Sequence, residues 1–304
     1  MDRSIPRCFV MSITPFKEDG SLDDKAMAAH VDRIAATGCG FYIGSPGTGE
    51  AHALSAAELD RIYRISVETA GSRVPVNANP PEARTPDRAF ELAQIAIKAG
   101  IHAVEIYTLD PGHGMAMTRS ERDVYYDGLL GKIDHPVTLS IQRPVVANWQ
   151  LSIDDIVALK ARYDNIVGVH VQAMTTQFRV NLRDALDGTV AIYGPAPAAL
   201  QDMLVGLDGF QSAEGNVYPE LVAKVAAAGA GGDIEEAAQS FRKVMSFLGR
   251  VERWGTAVRW SKLALQALGL PGGNGVVRPP YVYPFGDIAE IRGILDSIGR
   301  PEGT

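Results

Sequence analysis

The chain has 304 residues, enough for one large α/β barrel or for two ordinary domains, and long enough to bury a full core. Its net charge of −7, with both signs interspersed, leaves no basic stripe for nucleic-acid phosphates or an anionic membrane surface. No apolar run approaches membrane-spanning length, and the start Met1-Asp-Arg-Ser-Ile-Pro has no signal- or transit-peptide pattern, so a cytoplasmic protein is expected.

Short β-rich runs alternate with amphipathic stretches roughly every thirty residues. Strands are expected at Cys8–Ile13, Phe41–Gly44, Val74–Ala78, Ala103–Tyr107, Val137–Gln142, Ile166–Val171, Val190–Tyr193 and Gly209–Ala213. The helices between them carry start signals. Ser21-Leu-Asp-Asp24, Ser55-Ala-Ala-Glu58 and Ser152-Ile-Asp-Asp155 read as capping boxes, and Thr85-Pro86 as a capped first turn. Gly38, Gly71 and Gly100 stand where helices should end in a left-handed cap. Eight strands, each followed by a helix, predict a (β/α)₈ TIM barrel over residues 1–230. Asp233–Leu248, Arg253–Leu268 and Asp287–Ile298 predict a helical C-terminal region over 231–304. Cys8 and Cys39 lie in apolar, strand-like contexts and read as buried, reduced thiols.

The order and spacing of several motifs resemble the dihydrodipicolinate synthase and N-acetylneuraminate lyase family over nearly the whole chain. They are Thr14-Pro15-Phe16 with Asp19-Gly20-Ser21-Leu22-Asp23, and Gly44-Ser-Pro-Gly-Thr-Gly-Glu50 with Leu54-Ser55 and Glu58. Asn165-Ile-Val-Gly168, then Gly206, Gly209, Ser212, Asn216 and Pro219, continue the match. Lys262, Leu268-Gly269-Leu270 and Arg278-Pro279 complete it. The resemblance implies a TIM barrel, a small carboxylate substrate and a homotetramer or homodimer. It also implies a barrel lysine that condenses with a 2-oxo acid, helped by a tyrosine and by the first threonine of a Gly-Thr-Thr-Gly-Glu loop.

Carried over position by position, the lysine falls on His170, the tyrosine on Ser140 and the threonine on Gly47. The family's paired aromatics fall near Asp110-Pro111. None of the eight lysines, Lys17, Lys25, Lys98, Lys132, Lys160, Lys224, Lys243 and Lys262, lies on an expected strand. An imine needs a primary amine, which imidazole does not supply. The carboxylate-binding part persists in Thr48, Gly49 and Glu50.

The chemistry expected from the residues present is therefore imidazole-based. His170 is the candidate acid or base, Ser140 a hydrogen-bonding partner on the next strand, and Glu214 a carboxylate to polarise His170. Gly47, Thr48 and Gly49 offer backbone N–H groups and a hydroxyl to a carboxylate, with Glu50 bracing the loop. Arg143, after strand five, suits a second carboxylate, while Gly194 and Gln211 are candidate substrate contacts. Asn79, Tyr107 and Tyr193 are further polar liners. No cofactor motif stands out. The readings that remain are a lyase-type enzyme (aldolase, dehydratase or isomerase) on a small 2-oxo, hydroxy or sugar acid, and a non-catalytic carboxylate binder or partner subunit. A third is a metal-dependent aldolase drawing on His102, Glu105, Asp110, His113 and His170, which lack a recognisable ligand spacing.

Overall fold

The computed structural model describes residues 7–109, 117–141, 151–282 and 286–302. Its strands are β1 (Cys8–Met11), β2 (Gly40–Ile43), β3 (Val76–Ala78), β4 (Val104–Tyr107), β5 (Val137–Ile141), β6 (Ile166–Val171), β7 (Ala191–Pro195) and β8 (Gly209–Ser212). Neighbours pair in parallel, and β1 pairs with both β2 and β8, so the sheet closes into a barrel. Each strand is followed by its helix: α1 (Asp24–Ala35), α2 (Ala56–Ala70), α3 (Pro86–Lys98), α4 (Arg119–Leu130), α5 (Ile153–Arg162), α6 (Thr176–Ala185), α7 (Ala199–Leu204) and α8 (Pro219–Ala228). The chain is a (β/α)₈ barrel.

Strand alternation divides the side chains between two environments. Val10, Phe41, Val76, Leu139, Val169 and Ile192 point outward and are buried beneath the helices. Each such burial contributes about 1.5–3 kcal/mol relative to exposure. The inward positions are largely polar, with a separate aromatic cluster of Phe9, Tyr42 and Tyr193.

Most caps follow the sequence. Ser55 with Glu58 and Ser152 with Asp155 form reciprocal capping boxes, and Thr85 accepts from the Arg88 N–H ahead of Pro86. Two expectations fail locally. Ser21 is drawn into a turn by Asp19, its hydroxyl donating to Asp19 Oδ1 at 2.7 Å, so Asp23 caps α1 instead. Gly38 and Gly100 are left-handed, but Gly71 is right-handed with φ −61°. A Cβ there would lie 2.7 Å from the Val67 carbonyl oxygen, so close backbone approach is the reason for glycine.

After α8 come α9 (Ile234–Val251), α10 (Ala257–Leu268) and α11 (Ile288–Ile298). Phe247 on α9 meets Tyr218 and the α10 residue Trp260 edge to face. These helices share the buried core of the barrel. Cys8 and Cys39 are free and buried. Among the described residues no helix is long and apolar enough to cross a membrane.

Candidate active site

Three polar side chains from alternate strands meet inside the barrel: Glu105 on β4, His170 on β6 and Gln211 on β8. Barrels of this kind fill their interior in layers drawn from alternate strands, usually with apolar residues. Here the layer is polar and closed to solvent, with His170 and Glu105 side chains both 0 % exposed. His170 Nδ1 lies 3.4 Å from Glu105 Oε1 and 3.5 Å from Ser140 Oγ on β5. Gln211 Nε2 donates to Glu105 Oε2, so one carboxylate is held from two sides.

With Nδ1 committed to the carboxylate side, the other imidazole nitrogen decides what the group can do. His170 Nε2 is buried with no hydrogen-bond partner, as are Gln211 Oε1 and Asn79 Nδ2. Orphaned buried polar atoms are rare in folded proteins, and each one here keeps hydrogen-bonding capacity for a water or a ligand atom. Asn79 Oδ1 accepts from the Tyr107 hydroxyl at the β4 end. Burial first, and Glu105 second, push the Tyr42 and Tyr107 hydroxyls well above the ordinary phenol range, so both are neutral donors.

The backbone around His170 is fixed by a buried ion pair outside the barrel. Arg179 on α6 binds Asp202 on α7 at 2.8 Å and also donates to the Met174 carbonyl just beyond β6. Gly194 serves this pair. A Cβ at Gly194 would lie 2.0 Å from Asp202 Oδ2, so the residue faces the helical layer and the expected substrate contact is replaced by a packing role.

Glu214 also falls elsewhere than expected. A 3₁₀ turn after β8 turns its carboxylate to the Ser212 hydroxyl at 2.7 Å, and burial raises its pKa. The carboxylate facing His170 is Glu105. The signal for it was present in Val104-Glu105-Ile106-Tyr107, where alternation puts Glu105 and Tyr107 on the inner side. Arg143, Asp110, Pro111 and His113 lie outside the described residues. His102 sits at the N-terminal mouth of the barrel, two residues ahead of β4, and among the described residues no three potential ligands gather as a metal site.

The loop between β2 and α2 is braced, and by more than its own residues. Glu50 adopts a left-handed conformation and is buried against Lys262 on α10, while Glu50 Oε1 accepts from the Arg278 N–H at 2.9 Å. Gly49 passes so close to the end of β1 that a Cβ would meet Ser12 O at 3.1 Å, and its carbonyl accepts from Thr14 Oγ1 at 2.7 Å. The N–H groups of Thr48 and Gly49 do not stand open. Both donate to Ser45 Oγ, at 3.1 and 3.0 Å, so the expected anion cradle is already satisfied within the loop. Gly47 is exposed and Thr48 is buried.

The sequence matches the dihydrodipicolinate synthetase family over residues 4–285. The chain belongs to that family. A 4-hydroxy-tetrahydrodipicolinate synthase from Hyphomonas neptunium is 32 % identical over 280 residues, covering 90 % of each chain. Among solved structures, a chloride-inhibited dihydrodipicolinate synthase from Acinetobacter baumannii in complex with pyruvate superposes with a TM-score of 0.83. It is 27 % identical and covers 97 % of this chain and 99 % of that one. An N-acetylneuraminate lyase from Mycoplasma synoviae shares the fold at a TM-score of 0.80 with 19 % identity, covering 97 % of both chains. Within this member of the dihydrodipicolinate synthetase family, all eight lysines lie off the barrel strands.

Proposed function

We propose that the protein is a lyase-type enzyme, of aldolase, dehydratase or isomerase chemistry, on a small 2-oxo, hydroxy or sugar acid. It works by proton transfer at His170 in place of an imine. The single observation that carries this reading is the pair formed by Glu105 and His170, with His170 Nε2 left unpartnered inside the barrel. A carboxylate beside Nδ1 favours the tautomer with hydrogen on Nδ1, which makes Nε2 a lone-pair base and stabilises the imidazolium that forms. Nε2 then takes a proton from the carbon beside a ketone, or from a hydroxyl, and returns it to the product. Gln211 keeps Glu105 in place, and Ser140 supplies a hydroxyl on the strand next to His170. The substrate carboxylate is assigned to Thr48, through its side chain, since the neighbouring N–H groups are taken by Ser45. Loss of carboxylate affinity in Thr48→Val is the expected result.

The family supports the substrate class, and a pyruvate-bound relative supports a small oxo acid in particular. General acid–base catalysis is worth about 10²–10⁴-fold in rate. Product analysis across oxo, hydroxy and sugar acids should find turnover that falls by that order in His170→Ala with the fold intact. Complete burial of His170 and Glu105 favours a second reading, a family member without turnover that binds a carboxylate at the Thr48 loop or serves as a partner subunit, which failure to turn over any acid in that panel would select. Assembly as a homodimer or homotetramer is part of the proposal, and light scattering at micromolar concentration tests it.

A further inference from the structure

The opposite end of the barrel is hollow. A cavity of about 660 Å³ opens at the N-terminal ends of the strands and runs inward to Tyr42, Thr138 and Gly168. That volume is in the range of small-molecule sites, about 300–1,000 Å³. The space exists because four inward or rim positions that usually carry bulky residues hold Asn77, Thr138, Gly168 and Ala191. Its aromatic wall is held in place. Phe9 packs edge to face with Tyr193 at 5.4 Å and tilts against Tyr42 at 5.4 Å, over Gly40, where a Cβ would lie 2.7 Å from the Phe9 ring. Tyr42 is fixed by its hydroxyl, which donates to Thr138 Oγ1 at 3.0 Å.

Among the described residues, the mouth carries a positive charge with no ion-pair partner, Arg7. Asp208 is committed, with Oδ2 accepting from the Ile192 N–H at 2.9 Å and Oδ1 paired with Arg183 at 3.3 Å. Arg7 donates to the neutral Leu207 carbonyl at 3.2 Å, and among the described residues no carboxylate is within ion-pair distance of it. A guanidinium with spare donors above an aromatic-walled hollow matches one ligand chemistry: a flat aromatic ring bearing a carboxylate.

We propose that this cavity is a second binding site, distinct from the His170 centre, for a small aromatic carboxylate with its acid group on Arg7 and its ring against Phe9 and Tyr193. The site stands independently of the proposed activity.

The test uses benzoate as the probe, with benzyl alcohol as its uncharged counterpart, titrated calorimetrically into the full-length protein. Benzoate should bind saturably at one site per chain, with unchanged affinity in His170→Ala, and benzyl alcohol should bind at least tenfold more weakly. Arg7→Gln should weaken benzoate at least tenfold, and Ala191→Leu should abolish binding by filling the hollow. Val167→Trp, placed at the rim where Val167 is 43 % exposed, blocks entry without touching the interior and covers the case that Ala191→Leu does not fold. No saturable binding to the parent protein, binding that survives Val167→Trp, or binding lost in His170→Ala would each overturn the assignment.

Discussion

Glu105 and His170, sixty-five positions apart in sequence, face one another in the barrel interior with Oε1 3.4 Å from Nδ1 and neither side chain exposed. The pair gives the imidazole a direction. Glu105→Gln keeps the size of the side chain and the contact with Gln211 but removes the negative charge that holds hydrogen on Nδ1 and steadies the imidazolium. Turnover should fall by at least tenfold with little change in KM, because the proton relay loses its orienting carboxylate. Unaltered turnover would mean that Glu105 is only a packing group.

Loop bracing is a separate matter. Lys262 and Glu50 are both fully buried, and Lys262 is completed by the Val276 carbonyl at 2.8 Å and the face of Phe16. Lys262→Met strands a buried carboxylate and should cost about 3–5 kcal/mol by chemical denaturation. The variant should also lose affinity for carboxylates, because the Gly44–Glu50 loop loses its anchor. Wild-type stability in Lys262→Met would show that the pair contributes nothing net.

Acid stability should depend on His30. Burial first, and Arg33 second, lower its pKa from 6.5 to about 3, against a weaker opposing hydrogen bond to Asn216 Oδ1. The unfolded chain then binds a proton between about pH 6.5 and 3 that the folded chain refuses. Stability is full above that window and falls as pH drops through it. His30→Gln retains an amide that can reach Asn216 Oδ1 and removes the titration, so its acid-unfolding midpoint should move to lower pH. An unchanged midpoint would assign acid unfolding to other groups.

The barrel was legible because its signals are local and repeated. Period-two strands, Ser55–Glu58 and Ser152–Asp155 boxes and the Thr85-Pro86 start each act within one turn of helix. Ser21 and Gly71 depart from expectation because residue type reveals a cap or turn preference but not which neighbour claims the group; Asp19 claims Ser21, and Val67 crowds Gly71. In the site, His170 and Ser140 come from the family resemblance carried over position by position, and Gln211 as a candidate substrate contact; the structure sets His170 beside Ser140 and joins Gln211 to Glu105. Glu214 directly follows β8 in sequence, but a 3₁₀ turn gives it to Ser212, and Glu105 takes the place beside His170. The hollow at the N-terminal end left no local signal at all. It depends on Asn77, Thr138, Gly168 and Ala191 coinciding from four different strands.

Proton transfer at His170 without an imine is the central step of the proposed reaction. The direct measurement is deuterium uptake at C3 of pyruvate in D₂O, followed by proton NMR, before and after the protein is treated with borohydride and pyruvate and then desalted. Enzyme-dependent exchange should survive the treatment with the protein mass unmodified, and should fall by about 10²–10⁴-fold in His170→Ala. Exchange abolished by borohydride, with a stoichiometric adduct on a lysine, or exchange undiminished in His170→Ala, would contradict that step.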